Sequence, residues 1–139
     1  MDTLVAALIM WIAAHSSLGA APAPYIQFVP KHEMSNVYLG TADSKMFFEV
    51  EAFYLPVTAT IYLPKSWRGH KLRDRSVLVH ELAHHLQFAN HVKTSCIGSL
   101  ERQAYDLQFK WLRENSIEDP YGFTGLDVLT VIFAGTCSE

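Results

Sequence analysis

The sequence lacks an excess of basic residues, and this excludes one large class of partner. Its 11 lysine and arginine residues stand against 14 aspartate and glutamate residues, so the net charge is −3 with neutral histidine. Nucleic-acid binding depends on cations that neutralise phosphates, so nucleic acid is excluded as the main partner. Charged residues make up only 18% of the 139 residues and half are hydrophobic, which excludes a disordered chain and indicates one globular domain.

The chain also lacks an apolar run long enough to cross a bilayer. Residues 4–14 are apolar, but a spanning helix needs about 20 such residues. Their length fits the core of a signal peptide, with small residues at a cleavage site near 19–21. Because no Lys or Arg precedes the run and Asp2 is acidic, a core helix is the alternative. We expect a signal peptide at 1–20 and a single secreted or periplasmic domain at 21–139.

Cysteine is scarce, and the two residues present allow only one intramolecular pairing. In an oxidising compartment, we expect Cys96 and Cys137 to form a disulfide. Closing a loop of about 42 residues contributes about 4 kcal/mol in the chain-entropy model. Two buried free thiols are the alternative. Neither cysteine has a CxxC partner, which disfavours a two-cysteine zinc site.

The pattern of hydrophobic residues predicts an α+β fold. β-branched, alternating segments bounded by proline come first, and segments with helical spacing follow. Asp74 or Ser76 is a candidate cap for the first long helix, and Asp127 for the last apolar segment, 126–134, which is helix or strand. The predicted strands cover residues 25–29, 46–55 and 58–63, and the predicted helices cover residues 31–39, 77–89 and 99–115.

One helix contains the HExxH pattern, in which two histidines stand four residues apart. His80 and His84 then lie one turn apart on the same helix face, where both imidazoles can converge on one metal ion. Glu81 is offset by about 100° and can reach a water molecule at the edge of that face. The motif lies in an apolar stretch, where unpaired polar groups are costly to bury. This pattern predicts a zinc site with Glu81 as general base.

Three positions are candidates for the third metal ligand. The extended metzincin pattern requires Gly and His where this chain has Gln87 and Asn90. His91 lies about two turns, or about 10 Å, past the second histidine, too far to complete a tetrahedron. Glu101 follows after a loop and opens the second helix, with Ala104 one turn later to allow close packing. We therefore predict Glu101 as the third metal ligand.

The strand pair, the HExxH helix and a second helix with a Glu-x-x-Ala turn resemble the gluzincin branch of zincin metallopeptidases. More narrowly, the strings TIYLPKSW, DRSVLVHELAHHLQ and LERQAYDLQFKWL resemble a family of small secreted bacterial proteins of undetermined function. The resemblance implies a small, mostly antiparallel sheet packed on the active-site helix. It also implies that strand 58–63 borders the cleft and binds extended substrate by strand addition.

The resemblance implies a function as well as a fold. It implies that His80, His84 and Glu101 bind Zn²⁺ and that Glu81 activates a water molecule to cleave peptide bonds. We therefore expect a zinc-dependent hydrolase, a secreted metallopeptidase with a peptide or protein substrate. The alternatives are a non-catalytic, zinc-stabilised secreted binding module and a helical domain without metal.

Two departures from the gluzincin pattern concern the surroundings of the site. Thermolysin-like enzymes have an aspartate four residues after the glutamate ligand, and this chain has Tyr105 there. The group that stabilises the oxyanion has three candidates, which are Tyr105, Tyr62 and His91. The chain also lacks the large C-terminal subdomain of big gluzincins, so we expect a narrow, shallow or partner-completed cleft.

Overall fold

The computed structural model describes residues 1–41 and 51–137 of the chain, and for residues 39–41 it describes the backbone alone. The described residues form six α-helices and three strands, which confirms the α+β class. In chain order the elements are α1 (Asp2–Ala14), β1 (Tyr25–Val29), α2 (Lys31–Thr41), β2 (Phe53–Leu55), a 3₁₀ turn (Pro56–Thr58), β3 (Thr60–Pro64), α3 (Leu72–Ala89), α4 (Ile97–Glu114), α5 (Pro120–Thr124) and α6 (Val128–Ala134).

The sheet is mixed, with the strand order β1-β3-β2. β2 and β3 are antiparallel, as expected for adjacent segments joined by a tight turn. β1 runs parallel to β3, with Tyr25 opposite Thr60, so the prediction of a mostly antiparallel sheet is wrong. The reason lies in the connection, since the chain leaves β1 through α2 and reverses between β2 and β3. Of the strand predicted at 46–55, residues 46–50 lie outside the described part of the chain.

β3 is the central strand, and this corrects the role expected for it. Its residues pair with β1 on one side and with β2 on the other. From Thr60 to Tyr62, β3 is therefore paired on both sides, while Leu63 and Pro64 pair with β1. Strand addition needs a free edge, so the prediction that residues 58–63 bind substrate in this way is wrong.

The core is built around α3, which contacts α1, β2 and α4. One apolar stripe of α3 is inaccessible to solvent, as are the inward residues of β3. Burying each such side chain stabilises the fold by about 1.5–3 kcal/mol. The fully buried leucine, isoleucine and valine residues of this core are Ile12, Ile61, Leu63, Leu78, Val79, Leu82, Leu86 and Leu112.

α1 packs on α3 and buries Val5, Leu8, Ile9 and Ile12. The apolar run read as the core of a signal peptide is thus helical and lies against the core. Cleavage is a covalent event that a folded structure does not register. The signal peptide and the domain boundary near residue 20 therefore stay predictions.

The start of α3 differs from its predicted start. The helix begins at Leu72, and neither Asp74 nor Ser76 caps it. The Asp74 carboxylate instead accepts a hydrogen bond from the backbone N–H of Arg68 at 2.8 Å. Ser76 donates its hydroxyl to the Arg73 carbonyl at 2.6 Å. Both side chains bond to the backbone on their N-terminal side, and this competes with capping.

The C-terminal segment folds as α6 and is tied back to α4. The Asp127 carboxylate accepts from the Leu129 N–H at 2.8 Å, which confirms the predicted cap. Cys96 and Cys137 form the predicted disulfide, with their α-carbons 5.7 Å apart. Arg102 donates to the Gly135 carbonyl at 2.6 Å. A covalent bond and a charged hydrogen bond thus join the end of the chain to the start of α4.

Candidate metal centre

α3 holds the two histidines of the motif against α4. Leu78, Leu82 and Leu86 are fully buried and form an i, i+4 stripe, which fixes the rotation of the helix about its axis. The rings of His80 and His84 lie one turn apart, with their centroids separated by 5.0 Å. Both imidazoles contact side chains of α4. The amphipathic pattern of α3 therefore decides where the imidazoles point.

α4 brings Glu101 to the same place. Its Oε1 atom lies 2.6 Å from Nε2 of His84, and its Oε2 atom lies 3.4 Å from Nε2 of His80. Ala104, one turn later, is fully buried in the main core. One nitrogen of each histidine and one carboxylate oxygen lie within 4.8 Å of one another. The three predicted ligands are therefore brought together in a group that can hold a metal ion.

The donor set suits a divalent metal ion, and one of the two ligand separations matches that of a metal-bound pair. Ligand bonds of about 2.0–2.1 Å at tetrahedral angles place neighbouring ligand atoms about 3.3 Å apart. The His80–Glu101 separation of 3.4 Å matches this length. The shorter His84–Glu101 separation of 2.6 Å is that of a charged hydrogen bond. Two imidazole nitrogens with one carboxylate oxygen form a set that catalytic zinc sites use.

The charges of the group are strongly coupled. Burial disfavours the charged form of His84, but the hydrogen bond to Glu101 and the charges of Glu81 and Glu101 outweigh it and raise the pKa of His84 to about 9. Burial acts to raise the pKa of Glu101, yet hydrogen bonds from His80 and His84 hold it well below its usual range. Without metal, His84 is thus an imidazolium paired with a carboxylate at neutral pH.

Glu81 is buried beside this group, with 6% of its surface exposed. Burial raises the pKa of its carboxyl, and the charges of Glu101 and Glu51 raise it further, while those of His80 and His84 lower it. A carboxyl whose pKa is raised in this way keeps its proton to a higher pH than an exposed glutamate does.

Two buried amides contact the imidazoles on the side away from Glu101. Oε1 of Gln108 lies 3.0 Å from Nδ1 of His80, and Oε1 of Gln87 lies 2.9 Å from Nδ1 of His84. The sequence reasoning assigned neither glutamine a role at the site. The spacing offered a signal, because Gln108 stands seven residues, or two turns, after Glu101 on the same face of α4.

The three candidates for the oxyanion group lie in different surroundings. The ring of Tyr105 packs edge-on against His80, with centroids 4.4 Å apart. Burial and the negative charges of Glu101 and Glu81 raise the pKa of Tyr105 to about 12, so it keeps its proton. Tyr62 stacks on Phe53 in the smaller core cluster, and His91 is exposed beyond the end of α3. Of the three candidates, Tyr105 contacts His80, one of the residues that can hold a metal ion.

An acidic side chain outside the motif also acts on the site. Glu51, just before β2, pairs with Arg73 near the start of α3. Arg73 also donates two hydrogen bonds to the carbonyl of Thr124 in α5. The negative charge of Glu51 contributes to the raised pKa values of Glu81 and Tyr105. The pair thus links β2, α3 and α5 close to the candidate centre, and no local pattern predicts it.

Fold and site together define an α+β domain in which a His-His-Glu group can hold a metal ion. The chain belongs to the family described as Domain of unknown function (DUF6647), which matches residues 1–139. No curated protein and no solved structure matches it.

Proposed function

We propose that this protein is a zinc-dependent hydrolase that cleaves peptide bonds. One observation carries the proposal, namely the convergence of His80, His84 and Glu101 around one point with Glu81 buried on the same turn of α3. The resemblance to gluzincins assigns these four residues the same roles. A peptide or protein is the substrate that this chemistry favours.

Zinc is the ion that the donor set favours. Imidazole nitrogen suits zinc better than it suits magnesium or calcium, which prefer oxygen ligands. Three protein ligands are typical of catalytic zinc sites, in which a fourth position stays open. When bound, zinc supplies a Lewis acid that polarises the substrate carbonyl and makes a water molecule more acidic.

Glu81 acts as the general base. It accepts a proton from the attacking water and passes that proton to the leaving amine. Its burial supports this role, because it raises the pKa of the carboxyl and allows the carboxyl to hold the proton between the two steps. His80, His84 and Glu101 hold the metal, and the Tyr105 ring packs against His80.

Secretion is the location that we propose for this activity. The Cys96–Cys137 disulfide fits an oxidising compartment, and the apolar segment at residues 4–14 has the length of a signal-peptide core. Among the helices of the described residues, none is long and apolar enough to cross a bilayer.

A zinc-stabilised binding module without catalysis is the second candidate. The pairing of β3 on both sides favours it, because Thr60–Tyr62, in the strand expected to bind substrate, have no free edge for strand addition. Both candidates require zinc, and they differ in the role of Glu81.

Zinc content and peptide-library cleavage, measured together on three proteins, separate the candidates. We expect the wild type to bind one zinc ion and to cleave peptides. Glu81→Gln should keep its zinc and lose about 10²–10⁴-fold in cleavage rate, as general bases do. Glu118→Gln, the same change at an exposed position, should alter neither property.

Other outcomes contradict the proposal in different ways. Zinc binding without cleavage in the wild type would support the binding module. Unchanged cleavage in Glu81→Gln would remove Glu81 from the mechanism. A wild type that binds no zinc would exclude both candidates.

A further inference from the structure

We propose that Gln87 and Gln108 are positioning residues that fix the tautomers of the two histidines, so that both present Nε2 to the metal. The proposal rests on the proposed function for the metal itself. Both glutamines are almost completely buried, with 1% of the surface of Gln87 and 3% of that of Gln108 exposed. Burying an amide is costly unless its hydrogen bonds are satisfied. The hydrogen-bond partners of the two glutamines therefore indicate the role of each side chain.

The orientation of the Gln108 amide follows from the protons around it. Ser76 uses its single hydroxyl proton on the Arg73 carbonyl at 2.6 Å. The hydroxyl oxygen therefore accepts from Gln108, whose Nε2 lies 3.2 Å away. With Nε2 facing Ser76, the Oε1 atom faces Nδ1 of His80 at 3.0 Å. An amide oxygen only accepts, so Nδ1 of His80 carries the proton.

The same reasoning applies to Gln87 with different partners. Its Nε2 donates to the carbonyl of Leu100 at 3.0 Å and to Oε1 of Gln103 at 2.9 Å. A backbone carbonyl cannot donate, so this end of the amide is the nitrogen. Its Oε1 atom consequently accepts from Nδ1 of His84 at 2.9 Å. Both imidazoles thus carry a proton on Nδ1 and direct Nε2 toward Glu101.

Both contacts between an amide and a histidine depend on α3 and α4 together. Gln108 lies on α4 and holds His80 of α3, while Gln87 lies on α3 and is oriented by groups of α4. The ligand geometry is therefore set by the contact between the two helices as a whole.

The charge of the ligand set also depends on these amides. Because both amides are neutral, Glu101 supplies the one formal negative charge of the ligand set. An amide donates less electron density to the imidazole than a carboxylate does, which leaves the metal more electrophilic.

The test replaces each amide by methionine, a side chain of similar length that accepts hydrogen bonds only weakly. Gln108→Met and Gln87→Met are each expected to weaken zinc binding by about 10–100-fold in a chelator competition. Gln27→Met is the matched control, because Gln27 is exposed on β1, and it should bind zinc as the wild type does. Gln108→Glu restores an acceptor and should restore zinc affinity.

Nitrogen-15 NMR of the zinc-loaded histidine rings gives a readout that a packing role would not change. In the wild type, both rings should show a protonated Nδ1 that exchanges slowly and a zinc-bound Nε2. Gln108→Met should speed the exchange of the His80 proton alone, and Gln87→Met that of His84 alone.

The outcomes distinguish this proposal from the proposed function. Zinc bound through Nδ1 in the wild type, or Met variants with unchanged affinity and exchange, would overturn the role of the amides and leave the zinc site in place. Equal loss of zinc in Gln108→Met and Gln108→Glu would also overturn it, since it would indicate packing alone. A wild type without zinc affinity would overturn both proposals.

Discussion

The α3–α4 pair and the α6 helix are stabilised in opposite ways. α3 buries ten of its 18 residues, including the polar His80, Glu81 and Gln87. α6 buries one of its seven, Val131, and exposes large apolar side chains such as Leu129 and Phe133. It is joined to α4 by a disulfide and by the hydrogen bond of Arg102.

This difference shows where the fold can support chemistry. Buried polar groups keep a fixed geometry only where the surrounding packing holds them, and the α3–α4 pair provides that packing. A segment with little buried area opens locally at low cost unless a covalent bond restrains it. The candidate centre therefore lies in the part of the molecule that packing stabilises most.

Removal of the disulfide should give the largest effect. Replacing Cys96 and Cys137 by serine removes the closure of a loop with a sequence separation of 41, which should lower the free energy of unfolding of the whole chain by up to about 4 kcal/mol. In hydrogen exchange, the amides of α6 should lose nearly all protection because little packing holds them, whereas the amides of α3 should stay protected up to the remaining global stability. Amides of α6 that stay as protected as those of α3 would contradict the comparison.

A leucine truncation in each region should show the next largest difference. Leu82 is fully buried in α3, whereas Leu129 of α6 is 62% exposed. Leu82→Ala should lower the free energy of unfolding by about 3 kcal/mol, because it leaves a cavity in the core. Leu129→Ala should change it by less than about 0.5 kcal/mol. Urea denaturation measures both, and similar losses would show that α6 is part of the core.

Gly98→Ala should destabilise the protein although alanine is the better helix former. A Cβ atom at Gly98 would lie 2.6 Å from the carbonyl oxygen of Thr136. We expect a loss of about 1–3 kcal/mol from this overpacking. At an ordinary helix position, glycine to alanine stabilises the protein by about 1 kcal/mol. An increase in the free energy of unfolding of Gly98→Ala would therefore show that α6 can shift away from α4 at little cost. Ile97→Ala, at the exposed neighbour, is the control.

The smallest expected effect is a pH dependence of the metal-free protein. The pKa of His84 rises from 6.5 to about 9 on folding, so its pairing with Glu101 stabilises the fold fully below pH 6.5 and is lost as the pH rises to 9. With a chelator present, the difference between the Tm of the wild type and the Tm of Glu101→Gln should fall as the pH rises from 6.5 to 9. A Tm difference that does not change with pH would show that the pair of His84 and Glu101 does not stabilise the fold. Zinc-loaded protein should show no such fall, because the metal holds His84 unprotonated.

The parts of the site that the sequence predicted are those encoded by spacing. His80 and His84 are one helical turn apart whatever surrounds them, and the apolar stripe of α3 directs them inward. Glu101 was found because a helix after a short loop packs back on its predecessor. The disulfide was predicted because two cysteines allow a single pairing.

The parts that were wrong or missed depend on contacts between distant segments. The parallel pairing of β1 with β3 is set by the path of the chain, which no alternation of residues within a strand encodes. The pairing of Glu51 with Arg73 and the contact of Gln108 with His80 join residues 22 and 28 positions apart. A glutamine in a helix has the same local propensity whether it faces solvent or a metal ligand.

The amino-acid sequence by itself determined the α+β class, the helix that bears the HExxH residues and the identity of the three groups that can hold a metal. These follow from helical periodicity and from the chemistry of individual side chains, both of which are local. The tertiary structure alone decided that β3 is the central strand of the sheet, that two amides contact the histidines and that α6 buries little of its own surface. Each of these depends on which distant segments pack together, and packing is a property of the whole chain.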